Sequence, residues 1–445
     1  MKEATDRIAE YPERGLRMRA GSNYHTKDTA DLEGAPARNF QTGIISQDSE
    51  IWDFPAAMED HLTTDRGRYC YQCPMAEYYG CDLVARLTTG EYAGLEIGGV
   101  GFSLPGAEWG QKCGIASYPA MWKCRELCQR YGMDQAGPVP FAMELYEKGI
   151  ITKADTDGLD LVWGNESAIM ELLGRIAHRV GIGDVLAEGS ARAAAKMGRD
   201  AGTCALTTKG MEVLFDPRAT KPARMLGYLV GPRGDDMNTT HAIYEAIPAW
   251  AKKAGWSRDR YVQWFVDWID MFDEVKREVF GLPPRADALG DDTMQGRAAL
   301  TKWHGEITSV FDSLGLCMMG ANNFSAIGPT LFAKLYSGVT GWQTTAQEIM
   351  LTGERIFNLM KAYGVREGMT RASDVWPARF YEKPLTEGSA RGTALSMDKV
   401  SRLLDEYYEL MGWDKQSGLP TRRKLVELGL EEVADEFEYI GKLAC

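Results

Sequence analysis

The fold class predicted for this sequence is mainly α and multi-helical, arranged as two packed helical domains, and three observations predict it. Apolar residues recur at spacings of three and four in nearly every long segment after about residue 115. Apolar–polar alternation of the kind a half-buried strand needs is scarce. A polar, Gly- and Pro-containing stretch from Asp216 to Asn238 separates two helical regions, which places the domains at 1–215 and 216–445.

Residues 1 to 65 are mixed and polar, punctuated by Gly34-Ala-Pro-Ala-Arg-Asn39. The best strand candidates are short pieces near Tyr92–Ile97 and within Cys204–Phe215. Trp122, Leu127 and Tyr131 share one face of a helix that stops near Gly132. Ile169, Leu172, Leu173, Ile176 and Val180 define a second helix, with Gly181 and Gly183 as its expected end. Ala299, Leu300, Trp303, Ile307, Val310, Phe311 and Leu314 define a third, closed by Gly315. The segment from Met397 to Met411 reads as another amphipathic helix.

Composition narrows the function classes. A net charge of −13 argues against a general nucleic-acid binder, because nothing offsets phosphate repulsion. The opening residues lack an apolar signal-peptide core, and no apolar run reaches the ~20 residues of a membrane-spanning helix. The expected compartment is the cytoplasm. Nine cysteines, an odd number, fit free thiols in the core or on metals better than a disulfide framework.

The strongest local signal is Tyr69-Cys70-Tyr-Gln-Cys73-Pro74, with Cys81 following. Two cysteines three positions apart can aim both thiolates at one metal from a tight turn, in an iron–sulfur or a zinc site. A second signal is Asp312-Ser-Leu-Gly315-Leu316-Cys317, where a helix end offers backbone groups, a carboxylate and a thiol together; a helix cap with a buried cysteine has the same sequence. A third is Lys209-Gly-Met-Glu212 with Asp216-Pro-Arg218 and Pro232-Arg233-Gly234. Cations beside glycine turns suit phosphate recognition, or simply form a charged surface loop. Cys124 and Cys128 share a helix face at i, i+4, but core packing is the preferred reading for them and for Cys113 and Cys204.

These three signals, in this order and approximate spacing, resemble the aldehyde:ferredoxin oxidoreductase family. Further matching stretches are Phe141–Gly149, Ile182–Gly189, Gly353–Asn358, Arg366–Arg371 and Leu404–Trp413. The resemblance covers almost the whole chain and is to the family's C-terminal, cofactor-binding helical part. It implies a tungsten (or molybdenum) bis-pterin group and a 4Fe-4S cluster. Carried over by position, Cys70 and Cys73 match cluster ligands and Cys317 the remote fourth, and Cys81 stands in for a third cysteine whose usual place is Glu77. Asp312, Gly315 and Leu316 fall on the second pterin motif. Gly132 and Asp134 fall on the first, Gln129 to Asp134, which opens with Gln129 where the family has an acid. Lys209, Asp216 and Arg218 join the implied cofactor-binding set. Glu96, Glu108 and His241 are the implied metal-proximal catalytic candidates.

The resemblance further implies an anaerobe's oxidoreductase that takes a small aldehyde to a carboxylic acid. Its electrons would leave to ferredoxin or an iron–sulfur subunit. A catalytic subunit like the tungsten-type aromatic acyl-CoA reductases and a non-catalytic zinc-stabilised helical scaffold are the alternatives. The resemblance begins after the family's N-terminal β-rich domain, so either the sequence is a fragment or a separate β-domain chain is an expected partner, and a homodimer is admitted. Without that domain the chain is expected to be catalytically incomplete.

Overall fold

The computed structural model describes residues 2–12, 37–43, 49–64, 85–98, 105–135, 137–234, 245, 247, 249–285, 288–289, 294–316, 326–388 and 390–444. The chain forms two compact units. The first holds 13–220 and 377–394; the second holds 1–12, 221–376 and 395–445. Helix α1, Lys2–Glu10, belongs to the second.

In the first unit, helix α2 (Phe54–His61) starts where Asp53 accepts from the Ala56 amide at 3.2 Å. It runs into a three-stranded antiparallel sheet: β1 (Leu62–Thr64), β2 (Ala85–Leu87) and β3 (Glu96–Ile97). Leu62 pairs with Leu87 and Ala85 with Ile97. Helices α3 (Tyr118–Tyr131), α4 (Val139–Glu147), α5 (Glu166–His178) and α6 (Ser190–Met197) follow. A two-residue hairpin pairs β4 (Thr207–Thr208) with β5 (Met211–Glu212) through Lys209 and Gly210, both at positive φ. The core gathers Trp109, Tyr118, Trp122, Phe141, Leu172 and Leu186.

Helix α5 does not end at the glycines. It stops at His178, with Arg179 in the left-handed conformation at φ 53°, and Gly181 opens the next short helix, Ile182–Leu186. Gly183 serves packing: a Cβ there would lie 2.3 Å from the Arg175 carbonyl.

In the second unit, helices α7 (Pro222–Val230), α8 (Arg258–Trp268) and α9 (Asp273–Phe280) lead to α10 (Arg297–Ser313). Helices α11 (Pro329–Thr340), α12 (Ala346–Arg366), α13 (Met397–Met411) and α14 (Glu431–Tyr439) complete it. Helix α10 is buried over almost its whole length and packs against α7, α12 and α13. At Gly353 the approach of α12 is so close that a Cβ would stand 2.2 Å from the Glu306 carbonyl oxygen. The mainly helical expectation holds. Among the described residues, the only strands after residue 115 are the hairpin pair, and β1 and β2 are the strands the pattern did not show.

Candidate functional site

The two motifs singled out in the sequence adopt one backbone geometry, one in each unit. Helix α3 starts where Ser117 accepts from the Ala120 amide at 3.4 Å, and it ends at Gly132 with φ 66° and ψ 30°. There the Gly132 amide donates to the Gln129 carbonyl at 3.3 Å and the Met133 amide to the Cys128 carbonyl at 2.9 Å. Helix α10 ends the same way. Gly315 has φ 68°, its amide donates to the Asp312 carbonyl at 3.2 Å, and the Leu316 amide donates to the Phe311 carbonyl at 2.9 Å. A left-handed glycine with this pair of bonds is a Schellman cap, and it folds the last carbonyls inward. Among the described residues no atom outside the chain neighbours lies within 4 Å of a Cβ placed on either glycine, so each turn presents backbone that a ligand can approach closely. Gln129 and Asp312 open the two turns and both are exposed.

The first turn forms one wall of a cleft of about 390 Å³ in the first unit. Gly132, Met133 and Asp134 face Leu173, Arg179 and Glu212 across it. The size is that of a small-molecule site. Glu108 sits in a π-helical turn, Gly106–Lys112, a geometry that recurs at functional sites. It is 4% exposed. The Lys112 ammonium lies 3.3 Å from one carboxylate oxygen and 3.2 Å from the other, and donates to the Val213 carbonyl at 2.9 Å. Burial raises the Glu108 pKa, Lys112 opposes the rise, and the charges of Asp134 and Glu212 on the cleft wall add to it. The result is a carboxyl biased toward carrying a proton, within electrostatic range of the cleft.

The other candidates are placed differently. Glu96 lies on β3, exposed, with Arg86 at 3.8 Å. Lys209 holds the hairpin turn. Asp216 and Arg218 form a buried brace: the Arg218 Nε donates to one Asp216 oxygen at 2.9 Å and a terminal nitrogen to the other at 2.6 Å. Its remaining donors reach the carbonyls of Phe40 at 2.8 Å and Lys383 at 2.7 Å, and the guanidinium covers the Phe380 ring. Cys70, Cys73, Cys81, Cys317 and His241 lie outside the described residues. Among the described residues no group of three His, Cys, Asp or Glu side chains is placed to hold a metal. Cys113, Cys124, Cys128 and Cys204 are buried free thiols of the first unit's core. Burial pushes the Cys128 thiol up to about 12, where it is neither nucleophile nor ready ligand at neutral pH.

Sequence reasoning missed Lys112 and Glu212 as neighbours of Glu108. Their signal was present, since Glu108 and Lys112 stand at i, i+4, but the π-helical turn that buries them has no period to read.

Comparison with known proteins sets these turns in a family. The chain matches the family described as "Aldehyde ferredoxin oxidoreductase, domains 2 & 3" over residues 1–430. It is 29% identical over 412 residues to the tungsten-containing aldehyde ferredoxin oxidoreductase of Pyrococcus furiosus, covering 89% of this chain and 57% of that protein. It is 28% identical over 385 residues to an aliphatic sulfonate oxidoreductase, WOR-like subunit, of the same organism, covering 84% of this chain and 51% of that one. The chain thus spans little more than half the length of these relatives. In fold it is similar to the active site complex BamBC of benzoyl coenzyme A reductase in complex with 1,5 dienoyl-CoA, at a TM-score of 0.76 and 22% identity, over 100% of this chain and 66% of that one. The match over residues 1–430 makes this chain a member of the aldehyde ferredoxin oxidoreductase family, in the part that comprises domains 2 and 3.

Proposed function

We propose that this chain is the pterin-holding part of a tungsten- or molybdenum-dependent oxidoreductase that converts an aldehyde to a carboxylic acid and passes the electrons to ferredoxin or an iron–sulfur subunit. The observation that carries this reading is that both motif positions of this family in the chain, Gln129–Asp134 and Asp312–Leu316, close on a left-handed glycine that is open at the Cβ position among the described residues; the turn itself recurs elsewhere, as at Gly149. Bare backbone at a helix end suits a flat, hydrogen-bond-rich ring such as a pterin, so the residues present fit the group. Asp312 would accept hydrogen bonds from its amino groups, with Leu316 alongside, and Gly132 and Asp134 would contact the other ring. When bound, the metal–pterin group supplies two-electron chemistry, and a 4Fe-4S cluster on Cys70, Cys73, Cys81 and Cys317 supplies single-electron exit.

Glu108 is the proton-exchanging candidate on the side of the first turn. Burial raises its pKa above the usual carboxylate value, which favours the protonated form, and Lys112 fixes its direction. Asp216 and Arg218 would hold the shape of the cofactor region through their internal brace, and Lys209 through its turn. No helix among the described residues is long and apolar enough to cross a membrane, which supports action in the cytoplasm beside a diffusible acceptor.

The fold likeness to the benzoyl coenzyme A reductase complex supports a second reading, reduction of an aromatic acyl-CoA inside a larger assembly. Metal and pterin analysis of the protein purified without oxygen and supplied with the family's β-rich domain, followed by dye-linked assays with aldehydes and with an aromatic acyl-CoA, separates the readings; the chain without that domain should show negligible turnover. Tungsten or molybdenum with iron, sulfide, pterin and aldehyde oxidation is the expected result. Zinc alone, without pterin, overturns both redox readings.

A further inference from the structure

Among the described residues five arginines are buried: three face a carboxylate, Arg224 donates from Nε to the Tyr228 hydroxyl, and Arg125 is the fifth. Arg218 faces Asp216 at 2.6 Å, Arg379 faces Glu144 at 2.6 Å, and Arg297 faces Glu245 at 3.6 Å. Arg125 on α3 breaks the pattern. It is 8% exposed, as Arg379 is. Among the described residues it has no carboxylate within ion-pair distance and makes one hydrogen bond, from a terminal nitrogen to the neutral Gln135 side chain at 3.2 Å. Its Nε is fully buried with no hydrogen-bond partner. The guanidinium leans on the Trp122 ring, 5.5 Å from its centre. A buried cation without counter-charge is costly, and burial alone lowers its pKa with no acid to oppose.

The position adds to the oddity. Arg125 stands one helical turn before Gln129, the opening residue of the first motif turn. In the second turn the opening residue is the acid Asp312, and the residue one turn before it is the neutral, buried Thr308. The two turns share a backbone and differ in sign: the first has lost its acid and gained a cation behind it.

We propose that Arg125 is an oxyanion subsite beside the first motif turn, binding the terminal oxygens of a carboxylate or a phosphate. A guanidinium whose buried Nε has no partner among the described residues can meet either group in two-point geometry. The subsite stands on Arg125's own surroundings. The source of the anion, a substrate carboxylate or a cofactor phosphate, rests on the function proposed above.

Binding of inorganic phosphate and of acetate is measured by isothermal titration at fixed ionic strength, on the purified protein with and without its pterin. Wild type, Arg125→Lys and Arg125→Met are compared. The expected result is saturable binding by wild type, at least tenfold weaker in Arg125→Met and intermediate in Arg125→Lys. Phosphate binding confined to pterin-free protein assigns the subsite to the cofactor; acetate binding retained in loaded protein assigns it to substrate. Gln129→Asp serves as a second variant should Arg125→Met not fold. Its exposed new carboxylate, one turn from Arg125, should weaken the anion about tenfold by competing for the guanidinium. Wild-type affinity in Arg125→Met, or in Gln129→Asp, overturns the proposal, as does no binding to either wild-type form. Anion binding in a protein that never carries pterin or tungsten sinks the proposed function and leaves the subsite standing.

Discussion

The turn at Gln129–Asp134 and the turn at Asp312–Leu316 share a backbone but not a setting. Both close a helix with a left-handed glycine and the same two hydrogen bonds. Behind the first stands Glu108, buried, with one ammonium beside it and two further carboxylates pushing its pKa up. The helix that leads into the second also buries a glutamate, Glu306, but there the charge is absorbed in a lattice. Lys302 lies between Glu306 and Glu354, and Lys424 reaches Glu354 at 3.0 Å. Lys424 also reaches Glu427 at 3.0 Å, so each acid of the lattice has a lysine beside it. Each buried acid has an ammonium beside it; what separates them is that Glu108 also feels Asp134 and Glu212 on the wall of a cleft, and a perturbed acid beside a cleft is the candidate for chemistry.

The largest effect that tests this difference is on Glu108. Glu108→Gln keeps the shape and removes the exchangeable proton, so dye-linked turnover should fall by about 10²–10⁴-fold. Stability should move the other way. A carboxyl whose folded pKa is raised contributes fully below its ordinary value and loses that contribution as pH rises through the folded value. Melting curves across pH should therefore show Glu108→Gln gaining on wild type as pH increases. Unchanged turnover would make Glu108 as structural as its counterpart on α10.

Lys302→Met should give the next largest effect, this time on stability alone. It leaves Glu306 and Glu354 buried against each other, a loss on the order of 3–5 kcal/mol for a broken buried pair. Glu306 is already pushed up to about 7 by burial. Without Lys302 it rises further, so the destabilisation relative to wild type should deepen as pH rises through about 7 in thermal melts. Metal and pterin content should be untouched.

Much of this was legible in the residues. Gly132 and Gly315 each close an apolar helical run, so both helix ends could be placed. Asp312 stood at the mouth of the second turn in sequence as in structure. What was illegible depends on partners distant in the chain. Arg218 reads as a phosphate-seeking cation, yet Asp216, Phe40 and Lys383 use its donors. Arg125 reads as an ordinary helical residue, because sequence does not show that its burial comes without an acid. The end of α5 was read at Gly181 because a left-handed arginine at 179 has no sequence signal. Cys70, Cys73, Cys81 and Cys317, proposed as cluster ligands, and His241 fall outside the described residues.

A smaller difference separates the opening residues of the turns. Asp312→Ala should weaken pterin retention by about 1.5–3 kcal/mol, the loss of a charge-assisted hydrogen bond, while iron and sulfide stay in place. Gln129→Ala removes a neutral exposed amide and should cost less than about 1 kcal/mol of retention. Pterin release measured by fluorescence after graded denaturant compares them directly. Equal losses would mean that the turns meet the ligand in the same way and that the change of sign between them has no consequence.

The smallest expected effect tests the likeness itself. Among the described residues a methyl group at Gly132 or at Gly315 would have no atom within 4 Å, so alanine at either position meets no clash with them. The cost is then only that of holding a left-handed alanine, about 1–2 kcal/mol, and should be the same for both within error. Denaturation of the pterin-free protein should show this equality. The added methyl nonetheless fills the space through which a ring would approach the backbone. Gly132→Ala and Gly315→Ala should each retain less pterin than their stability loss explains, with the excess appearing only in the loaded protein. An excess at Gly315 and none at Gly132 would leave the first turn as the anion-facing partner of Arg125 and the second as the only ring platform. No excess at either would reduce both turns to helix caps, because a ligand that never approaches the glycine cannot feel the methyl.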